Sequence, residues 1–493
     1  MNLSKSLYTK GIQCQKLLWL KKYKPSVLTP PNAAALAVFE TGNVVGDLAC
    51  ELFPDGKEIA FSRDYDSMMA QTQEYLDSGV RYIYEATFAY DGILVMVDVL
   101  EVKADGVCIY EVKSSTSVKD IYLHDVSIQS YVLQKLGFNV SHSYVVHINN
   151  TYVRDEALSL EELFSVVDVT EEASPLVDGV PRVLAEFEES LSDKEREPDI
   201  DIGKHCNKPY ECDAKDYCFK VQRDIPDYSV FNIFNLGSKK QLELYEMGIV
   251  NIQDIPEDFT MTQKQAQAVQ NYKSNAVHIE KKAIAAFVDT LTYPIYHLDF
   301  ETFQQAVPQF KGIKPFMQIP FQYSLHIEHE DGTLEHKEFL AEDGIDPREV
   351  LVRRLCEDIP TNVTVLAYNM SFEKGVIEKL ALRYPALSET LLGISANIKD
   401  LMVPFAKKSY VTPSMNGSYS IKYVLPALVP AMSDAYAELD GVQNGSDAMS
   451  AYATMSKLEA QEKKKLRESL LAYCKLDTLA MVEVLKKLRE VSE

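Results

Sequence analysis

The stretch YIYEATFAYDGILVMVDVLEVKADGVCIYEVK, residues 82–113, establishes the fold of the first half of the chain. Apolar and polar residues alternate along it, and the turn-forming pairs Asp91-Gly92 and Asp105-Gly106 interrupt the alternation. Asp-Gly between alternating runs is typical of a tight hairpin turn. We therefore predict three consecutive antiparallel strands.

The sequence on either side of these strands predicts an α/β domain. Residues 118–137 have helical periodicity ending at a glycine, and SHSYVVHIN (141–149) is typical of a strand. Further helices are expected over 33–52 and 66–79, within the acidic stretch 157–200, and as a short amphipathic helix in the first 24 residues. The order is helices, three antiparallel strands, helix and strand.

The second and third strands carry residues suited to a divalent cation. Asp98 lies on one strand, and Glu111-Val112-Lys113 lies on the next. Glu111 and Lys113 share a face because side chains alternate along a strand. The two carboxylates and the carbonyl of Val112 are the hard oxygen ligands that Mg²⁺ or Mn²⁺ prefers. Lys113 would orient or deprotonate a water, so we predict a hydrolytic metal site.

Four cysteines bracket this region. Cys14 precedes it, and Cys206, Cys212 and Cys218 follow it at intervals of six residues. Four thiolates suit either a [4Fe–4S] cluster or a structural Zn²⁺, although zinc sites usually have closer C-x₂₋₄-C pairs. Ordinary buried cysteines are the third interpretation, and the polar, turn-rich setting of the last three argues against it.

These motifs together resemble the RecB-like branch of the PD-(D/E)XK nuclease superfamily. The arrangement of one cysteine before the core and three after it is similar to the iron–sulfur exonucleases of CRISPR adaptation and of the AddB subunit type. The resemblance implies a [4Fe–4S] cluster that fastens the C-terminal segment to the N-terminus, and it adds Gln129 and Tyr131 as site residues. One departure is that 42–46, where such proteins often have a histidine, contains none.

A second acidic set lies in the last 210 residues. Asp299 and Glu301 end the strand pattern PIYHLDFETF, and Tyr473 and Asp477 are four residues apart on a long C-terminal helix. Residues i and i+4 share a helix face. An antiparallel meander is expected to follow the first strand, and VTVLAYN (363–369) is a further buried strand. This order of elements is typical of a ribonuclease H-like fold.

The second set resembles the DnaQ-like DEDD exonucleases in their tyrosine variant. The resemblance implies two divalent cations held by Asp299, Glu301 and Asp477, with Tyr473 orienting the attacking water. The resemblance also makes Glu373 a candidate metal ligand, although the family's middle motif has aspartate there, one methylene shorter. Asn369 and Glu373 also suit a helix cap and first turn without any catalytic role. The whole resembles a fusion of an iron–sulfur RecB-like half with a DnaQ-like half, as in uncharacterised bacterial proteins.

The sequence predicts three parts. A restriction-endonuclease-like PD-(D/E)XK domain is expected over 1–225, a helical linker over 226–285 and a ribonuclease H-like DEDD domain over 286–493. The linker has glycines near its turns, at Gly237 and Gly248, so a helix-hairpin-helix module is an alternative to a plain linker.

Composition limits the functional classes. The net charge of −23 argues against a protein that coats nucleic acid non-specifically, while 46% hydrophobic residues are normal for a globular chain. No signal peptide or membrane span is evident, so we expect a cytoplasmic protein.

We predict a metal-dependent nuclease acting on DNA, from ends or on single strands, with 3′→5′ polarity expected of the C-terminal half. A repair or defence setting would fit. Alternatives are a binding or scaffold protein with decayed sites, and an RNA exonuclease. No P-loop signature is present, so a helicase would be a separate partner. The oligomeric state is not predicted.

Overall fold

The computed structural model describes residues 2–493, and the chain divides into two compact units. Unit 1 contains Met1–Asp224 together with Gln305–Phe316, and unit 2 contains Ile225–Gln304 together with Met317–Glu493. The stretch predicted as a separate linker therefore belongs to unit 2. The short excursion 305–316 interrupts unit 2 and packs its Ala306 into a core of unit 1. Both units are mixed α/β structures, which confirms the predicted class.

Unit 1 is built on one mixed sheet in which the predicted hairpins form the centre. Its order is β2-β3-β4-β5-β6-β7, with β1 joined to β4. Strands β3, β4 and β5 are antiparallel, whereas β5 and β6 run parallel, as expected for strands joined by a helix. The strands are β1 Leu3–Ser4, β2 Lys57–Glu58, β3 Tyr82–Tyr90, β4 Ile93–Lys103, β5 Gly106–Lys113, β6 Val140–Ile148 and β7 Phe164–Asp168.

Helices cover this sheet with one larger and several smaller apolar cores. Helix α5 contributes Ile128, Val132 and Leu133, all fully buried, to the larger core. A second core contains residues of α3 with Val99, Cys108 and Val146 of the sheet. The helices are α1 Lys5–Gln13, α2 Gln15–Tyr23, α3 Ala33–Cys50, α4 Tyr65–Asp77, α5 Asp120–Lys135, α6 Leu160–Leu163 and α7 Thr170–Leu191.

The N-terminal helix predicted from the sequence is two helices. Cys14 has extended backbone angles, ends α1 and begins α2. The break turns α2 so that Leu17, Leu18 and Leu20 are almost completely buried in the larger core. Strand β7 within the acidic stretch was not predicted.

Helix α3 is long and apolar enough to cross a membrane by length and composition alone. It contains the charged residues Glu40 and Asp47, and only 11% of it is buried inside the structure. The side chains of Leu36, Val38 and Phe39 are more than half exposed.

Unit 2 contains a sheet of order β11-β10-β9-β12-β13 and a separate pair, β8 with β14. Strands β9, β10 and β11 form the predicted antiparallel meander, and β12 and β13 run parallel to β9 and to each other. The strands are β8 His278–Ile279, β9 Ile295–Phe303, β10 Ile319–Glu328, β11 Leu334–Leu340, β12 Thr364–Ala367, β13 Ile398–Asp400 and β14 Tyr410–Val411.

The long helix α17 packs across β9 and β10 and completes the core of unit 2. The hydroxyl of Thr478 lies 2.7 Å from both Ser324 Oγ and His326 Nδ1, and Gln322 donates to the carbonyl of Leu470 at 2.8 Å. These contacts fix the rotation of α17 over β9. The helices are α8 Ser238–Glu246, α9 Gln263–Lys273, α10 Lys281–Val288, α11 Arg348–Asp358, α12 Met370–Arg383, α13 Ser388–Ala396, α14 Val403–Ala406, α15 Ile421–Leu428, α16 Gly445–Thr454 and α17 Ala460–Ser492.

Single helical turns link these elements. They are Pro25–Val27, Lys204–Cys206, Val230–Asn232, Ile252–Asp254, Pro385–Leu387, Pro413–Met415, Pro430–Met432 and Met455–Lys457, and Tyr217–Val221 is one π-helical turn.

Two candidate metal sites

Three carboxylates of unit 2 converge at one point. Asp299 and Glu301 extend from the same face of β9, and α17 places Asp477 against them. One oxygen of each carboxylate lies within 4.8 Å of the other two. Oxygen ligands at this spacing suit a magnesium or manganese ion. Of the residues that carried the sequence prediction, these three are brought together as expected.

The carboxylates line a cavity of about 180 Å³. Tyr473, Ser420 and Lys422 also line it, so it combines acids, hydroxyls and one amine. Cys474, which faces β9, has its thiol 3.7 Å from Asp299 Oδ2. The cavity has room for water beside the acids, as a hydrolytic site requires.

Burial and mutual repulsion make this cluster electrostatically costly without a cation. Burial raises the pKa of Asp299 and of Glu301 well above the usual range, and repulsion from Asp477 raises both further. Burial also raises the pKa of Asp477 to about 6, although hydrogen bonds from Tyr436 and Tyr473 work in the opposite direction. A bound cation would stabilise the ionised carboxylates and remove the cause of these shifts.

Sequence reasoning missed two residues of this site. Tyr436 donates to Asp477 Oδ1 at 2.7 Å, and its ring centroid lies 6.2 Å from that of the predicted Tyr473. Lys422 lies 5.5 Å and 5.8 Å from the centroids of these two rings, and it lowers the pKa of Glu301 and Asp477. Lys422 lies in the first turn of α15 and Tyr436 in a turn after it. Neither is spaced from the predicted acids by a strand or helix period, so no sequence signal linked them to the site.

Glu373 lies at the start of α12, as predicted, and it is 2% exposed. Burial raises its pKa to about 8, and repulsion from Asp400 adds to the shift. Its Oε2 has no hydrogen-bond partner among the described residues. Its negative charge also raises the pKa of Asp299 and Glu301. Glu373 is outside the group of carboxylates whose oxygens lie within 4.8 Å of one another, and it does not line the cavity. Its role as a further metal ligand remains a prediction, and its unpartnered buried oxygen is consistent with it. Asn369 has left-handed backbone angles, and its side chain makes no capping bond.

In unit 1 the predicted acids also meet. Val99 and Tyr110 are paired in the antiparallel strands β4 and β5. Asp98 precedes Val99 and Glu111 follows Tyr110, so the two acids lie opposite each other. The backbone amide of Val112 donates to Asp98 Oδ2 at 2.7 Å. Lys113 Nζ lies 2.5 Å from Glu111 Oε1, which is 1% exposed at its side chain. The carbonyl of Val112 remains a predicted ligand.

Gln129 donates to Glu111 Oε2 at 2.8 Å, as its assignment to the site requires. Tyr131 does not join it. Its ring packs against Tyr90 with centroids 6.4 Å apart, and Lys135 lies above it. Two residues along a helix turn by about 200°, so Gln129 and Tyr131 face opposite sides of α5. The residue one turn from Gln129 is Asp125, and it accepts a bond from Lys113 at 2.7 Å.

The unpredicted residue that changes this site most is Lys5. Its Nζ lies 2.9 Å and 3.1 Å from the two oxygens of Glu111, and 3.3 Å from Asp98 Oδ1. Burial alone would lower the pKa of Lys5, but Asp98 and Glu111 together raise it well above the usual value. Burial would raise the pKa of Glu111, and Lys113 and Lys5 instead hold it well below its usual range.

A further carboxylate, Glu85, faces the same centre from β3. The register of β3 with β4 continues unchanged from Tyr84–Val99 to Ala86–Val97, so Glu85 lies opposite Asp98. Its φ of 56° lies in the left-handed region. Non-glycine residues with such angles are uncommon and concentrate at functional positions. Burial raises the pKa of Glu85 to about 7, and repulsion from Asp98 contributes.

The four bracketing cysteines line a single cavity of about 10 Å³ in unit 1. Burial raises the pKa of each thiol, in Cys212 to about 11. No three of these thiols lie mutually within 4.8 Å in the described part of the chain. A tetrahedral zinc site needs sulfur atoms about 3.8 Å apart, from its 2.3 Å zinc–sulfur bonds. The set is therefore too open for zinc as it stands, and the cavity is too small for an iron–sulfur cluster without side-chain movement.

The segments that carry the cysteines are joined by other contacts as well. Gln13, next to Cys14, donates to the carbonyls of His205 and Tyr210 at 2.9 Å and 2.8 Å. Lys21 pairs with Asp213 at 2.7 Å. The N-terminal helices and the last segment of unit 1 thus meet, as the resemblance implies, while the cluster itself stays a prediction.

Comparisons with known proteins give a partial match to one family model and one distant relative. A family model described as a domain of unknown function (DUF2779) matches residues 296–420. This range includes Asp299, Glu301 and Glu373 but ends before Lys422 and Asp477. An uncharacterised protein of Ureaplasma parvum serovar 3 is 25% identical over 311 residues, 57% of this chain. The chain covers 44% of that relative's length.

Proposed function

We propose that this protein is a metal-dependent nuclease whose principal active site lies in unit 2. The observation that carries the proposal is the convergence of Asp299, Glu301 and Asp477 in a cavity, with oxygens mutually within 4.8 Å. Such acidic sets bind Mg²⁺ or Mn²⁺, which activate water and neutralise the charge that develops on a phosphodiester. DNA is the favoured substrate, and the resemblance to DnaQ-like exonucleases assigns 3′→5′ polarity to this unit.

Each residue of the unit 2 site has a role in this scheme. Asp299, Glu301 and Asp477 would hold the metal, and Glu373 would join them through its unpartnered oxygen. Tyr473 would orient the attacking water from the cavity wall. Lys422 would face the phosphate, where a fixed positive charge stabilises the transition state without reorganisation. Tyr436 would position Asp477 through its hydroxyl.

Unit 1 is proposed as a second nuclease site of the RecB-like PD-(D/E)XK type. Asp98 and Glu111 are its candidate ligands, Lys113 would act on the water, and Gln129 would orient Glu111. The four cysteines are proposed to hold a [4Fe–4S] cluster that joins the two ends of the unit. Zinc is the alternative, and the iron, sulfide and zinc contents of anaerobically purified protein would distinguish them.

The contacts of Lys5 favour a second possibility for unit 1 alone. Its ammonium satisfies the carboxylates that a metal would need, so unit 1 would bind nucleic acid without cutting it. This corresponds to the decayed-site alternative, limited to one unit. It leaves the proposal for unit 2 unchanged.

The test is cleavage of single- and double-stranded DNA and of RNA, each labelled at the 5′ or the 3′ end, in Mn²⁺ or Mg²⁺. Asp299→Asn should lower the unit 2 reaction at least about 100-fold, because it removes a metal ligand. Asp289→Asn, an exposed carboxylate at the end of α10, is the matched control. Lys113→Ala reports on unit 1. Absence of cleavage by folded wild-type protein on all substrates would refute the proposal, and preference for RNA would redirect it.

A further inference from the structure

The N-terminal site differs from an open metal site in one respect that its resemblance does not account for. A divalent cation would lie between Asp98 and Glu111, about 2.1 Å from their oxygens. The ammonium of Lys5 lies between those same oxygens, at 2.9 Å to 3.3 Å. Both cations cannot occupy one position, and each would repel the other there.

The placement of Lys5 is built into the fold. The preceding strand β1 pairs with Ile93 and Leu94 of β4, which also carries Asp98. Ser4 caps α1 by accepting from the amide of Leu7 at 3.3 Å, so Lys5 begins the helix at a fixed point. Tyr8, one turn later, is 1% exposed and holds the helix against the core. The backbone of Lys5 is thus fixed at the edge of the site.

The side chain, in contrast, has a route to solvent. It is 21% exposed, and four torsions separate its ammonium from the fixed backbone. Rotation of the side chain alone would therefore vacate the position between the two carboxylates without disturbing α1 or the sheet.

The negative charges around Lys5 explain why its ammonium occupies the position between the two carboxylates. Asp98, Glu111 and Asp125 surround Lys5, and Lys113 is shared between Glu111 and Asp125. Without Lys5 the buried Glu111 would have only Lys113 as a nearby cation, and buried like charges of this kind are strongly unfavourable. Unit 2 lacks a lysine in the equivalent contact with its acids, since Lys422 makes no ion pair with them in the described structure.

We propose that Lys5 is an intramolecular competitor for the divalent cation of the unit 1 site, and that metal binds there only when the Lys5 ammonium swings out. The inference rests on the proposed nuclease function, and it adds that Lys5 regulates metal binding at the unit 1 site. It makes unit 1 respond at higher cation concentration than unit 2. The apparent affinity is lowered by the fraction of molecules in which Lys5 has vacated the site.

Mn²⁺ binding alone, without any cleavage assay, tests this. The parent protein is the full-length chain with Asp299→Asn and Asp477→Asn, which disable the unit 2 site. Mn²⁺ is added to it in steps, and electron paramagnetic resonance measures the concentration of free Mn²⁺, which gives the affinity of the unit 1 site. Lys5→Met keeps the length and removes the charge, and it should bind Mn²⁺ at least about tenfold more tightly. Lys5→Arg should bind like the parent. Lys10→Met, on the same helix and paired with Asp213, is the matched control. Equal or weaker binding by Lys5→Met would overturn the proposal.

A second measurement uses protein with Lys5 intact and covers the case in which Lys5→Met fails to fold. Lysine acetylation is followed by mass spectrometry with and without Mn²⁺. The proposal requires the acetylation rate of Lys5 to rise several-fold in Mn²⁺, while that of Lys10 stays constant. An unchanged or slower rate at Lys5 would overturn it. Both readouts are independent of cleavage, so a failed nuclease assay with a positive result here would refute only the proposed activity.

Discussion

Replacement of Asp477 by asparagine should stabilise the metal-free protein and weaken its response to metal. Burial raises the pKa of Asp477 from 3.8 to about 6 in the folded chain. Because this pKa is higher folded than unfolded, the folded state binds the proton more tightly. Stability therefore falls as the pH rises from 3.8 to about 6, and the loss is complete above that window.

The size of the effect follows from the shift. At 1.36 kcal/mol per pKa unit, the ionised Asp477 side chain costs about 3 kcal/mol at neutral pH. Asparagine removes the charge but weakens the 2.7 Å bond from Tyr436, which offsets about 1 kcal/mol. The net gain of about 2 kcal/mol corresponds to a rise of roughly 4–8 °C in the Tm of unit 2.

Differential scanning calorimetry in EDTA at about pH 7.5 and about pH 5 measures this, with the gain expected to be smaller at the lower pH. Excess Mn²⁺ should reverse the order, since the wild type gains binding energy that the variant has lost. Asp289→Asn should change stability by less than about 0.5 kcal/mol in either condition. The reasoning is refuted if Asp477→Asn lowers the Tm in EDTA, or if Mn²⁺ stabilises it as much as the wild type.

Three other substitutions test separate parts of the structure. Lys422→Met should lower kcat on DNA about 100-fold, because it removes a fixed positive charge near the phosphate. It should also shift the acidic limb of the pH–rate profile to higher pH, because Lys422 lowers the pKa of Glu301 and Asp477. An acidic limb at the same pH would contradict this. Glu373→Gln should raise the Tm in EDTA, since its pKa of about 8 disfavours the ionised form, and it should weaken Mn²⁺ binding in a calorimetric titration. Cys212→Ser should lower the iron content and the protease resistance of unit 1, because it removes one proposed ligand of the cluster. Cys108 is fully buried in the core and does not line the cavity, so Cys108→Ser is the control and should leave the iron content unchanged.

Much of the fold was predictable because it rests on short-range patterns. The strands 82–113, the helix that ends before Gly137 and the meander after Asp299 all appear where alternation, periodicity and turn residues place them. The split at Cys14 and strand β7 were not predicted. The first depends on how α2 packs against a distant core. The second is a five-residue run, FSVVD, within an acidic stretch whose overall pattern predicts helix.

Site residues were predictable where their spacing reports a shared face. Glu111 and Lys113 are two residues apart on a strand, and Tyr473 and Asp477 are four residues apart on a helix, so each pair shares a face. The same rule contained the signal for Asp125, four residues before Gln129, and it excluded Tyr131, which was assigned by resemblance. Lys5 gave no such signal, because 93 residues separate it from Asp98 and its place follows from the pairing of β1 with β4.

The two sites differ in whether a lysine already contacts the acids, and this difference bears on their chemistry. In unit 1 the ammonium of Lys5 already contacts Asp98 and Glu111, and together with Lys113 it holds the pKa of Glu111 low, although burial still raises the pKa of Asp98. In unit 2 no lysine forms an ion pair with Asp299, Glu301 or Asp477 among the described residues, and the pKa values of all three are raised. A cation gains most where the charge it meets is least compensated, since it then removes repulsion without displacing a resident partner. Metal should therefore bind unit 2 first, and at limiting Mn²⁺ the cleavage products should be those of the Asp299 site alone.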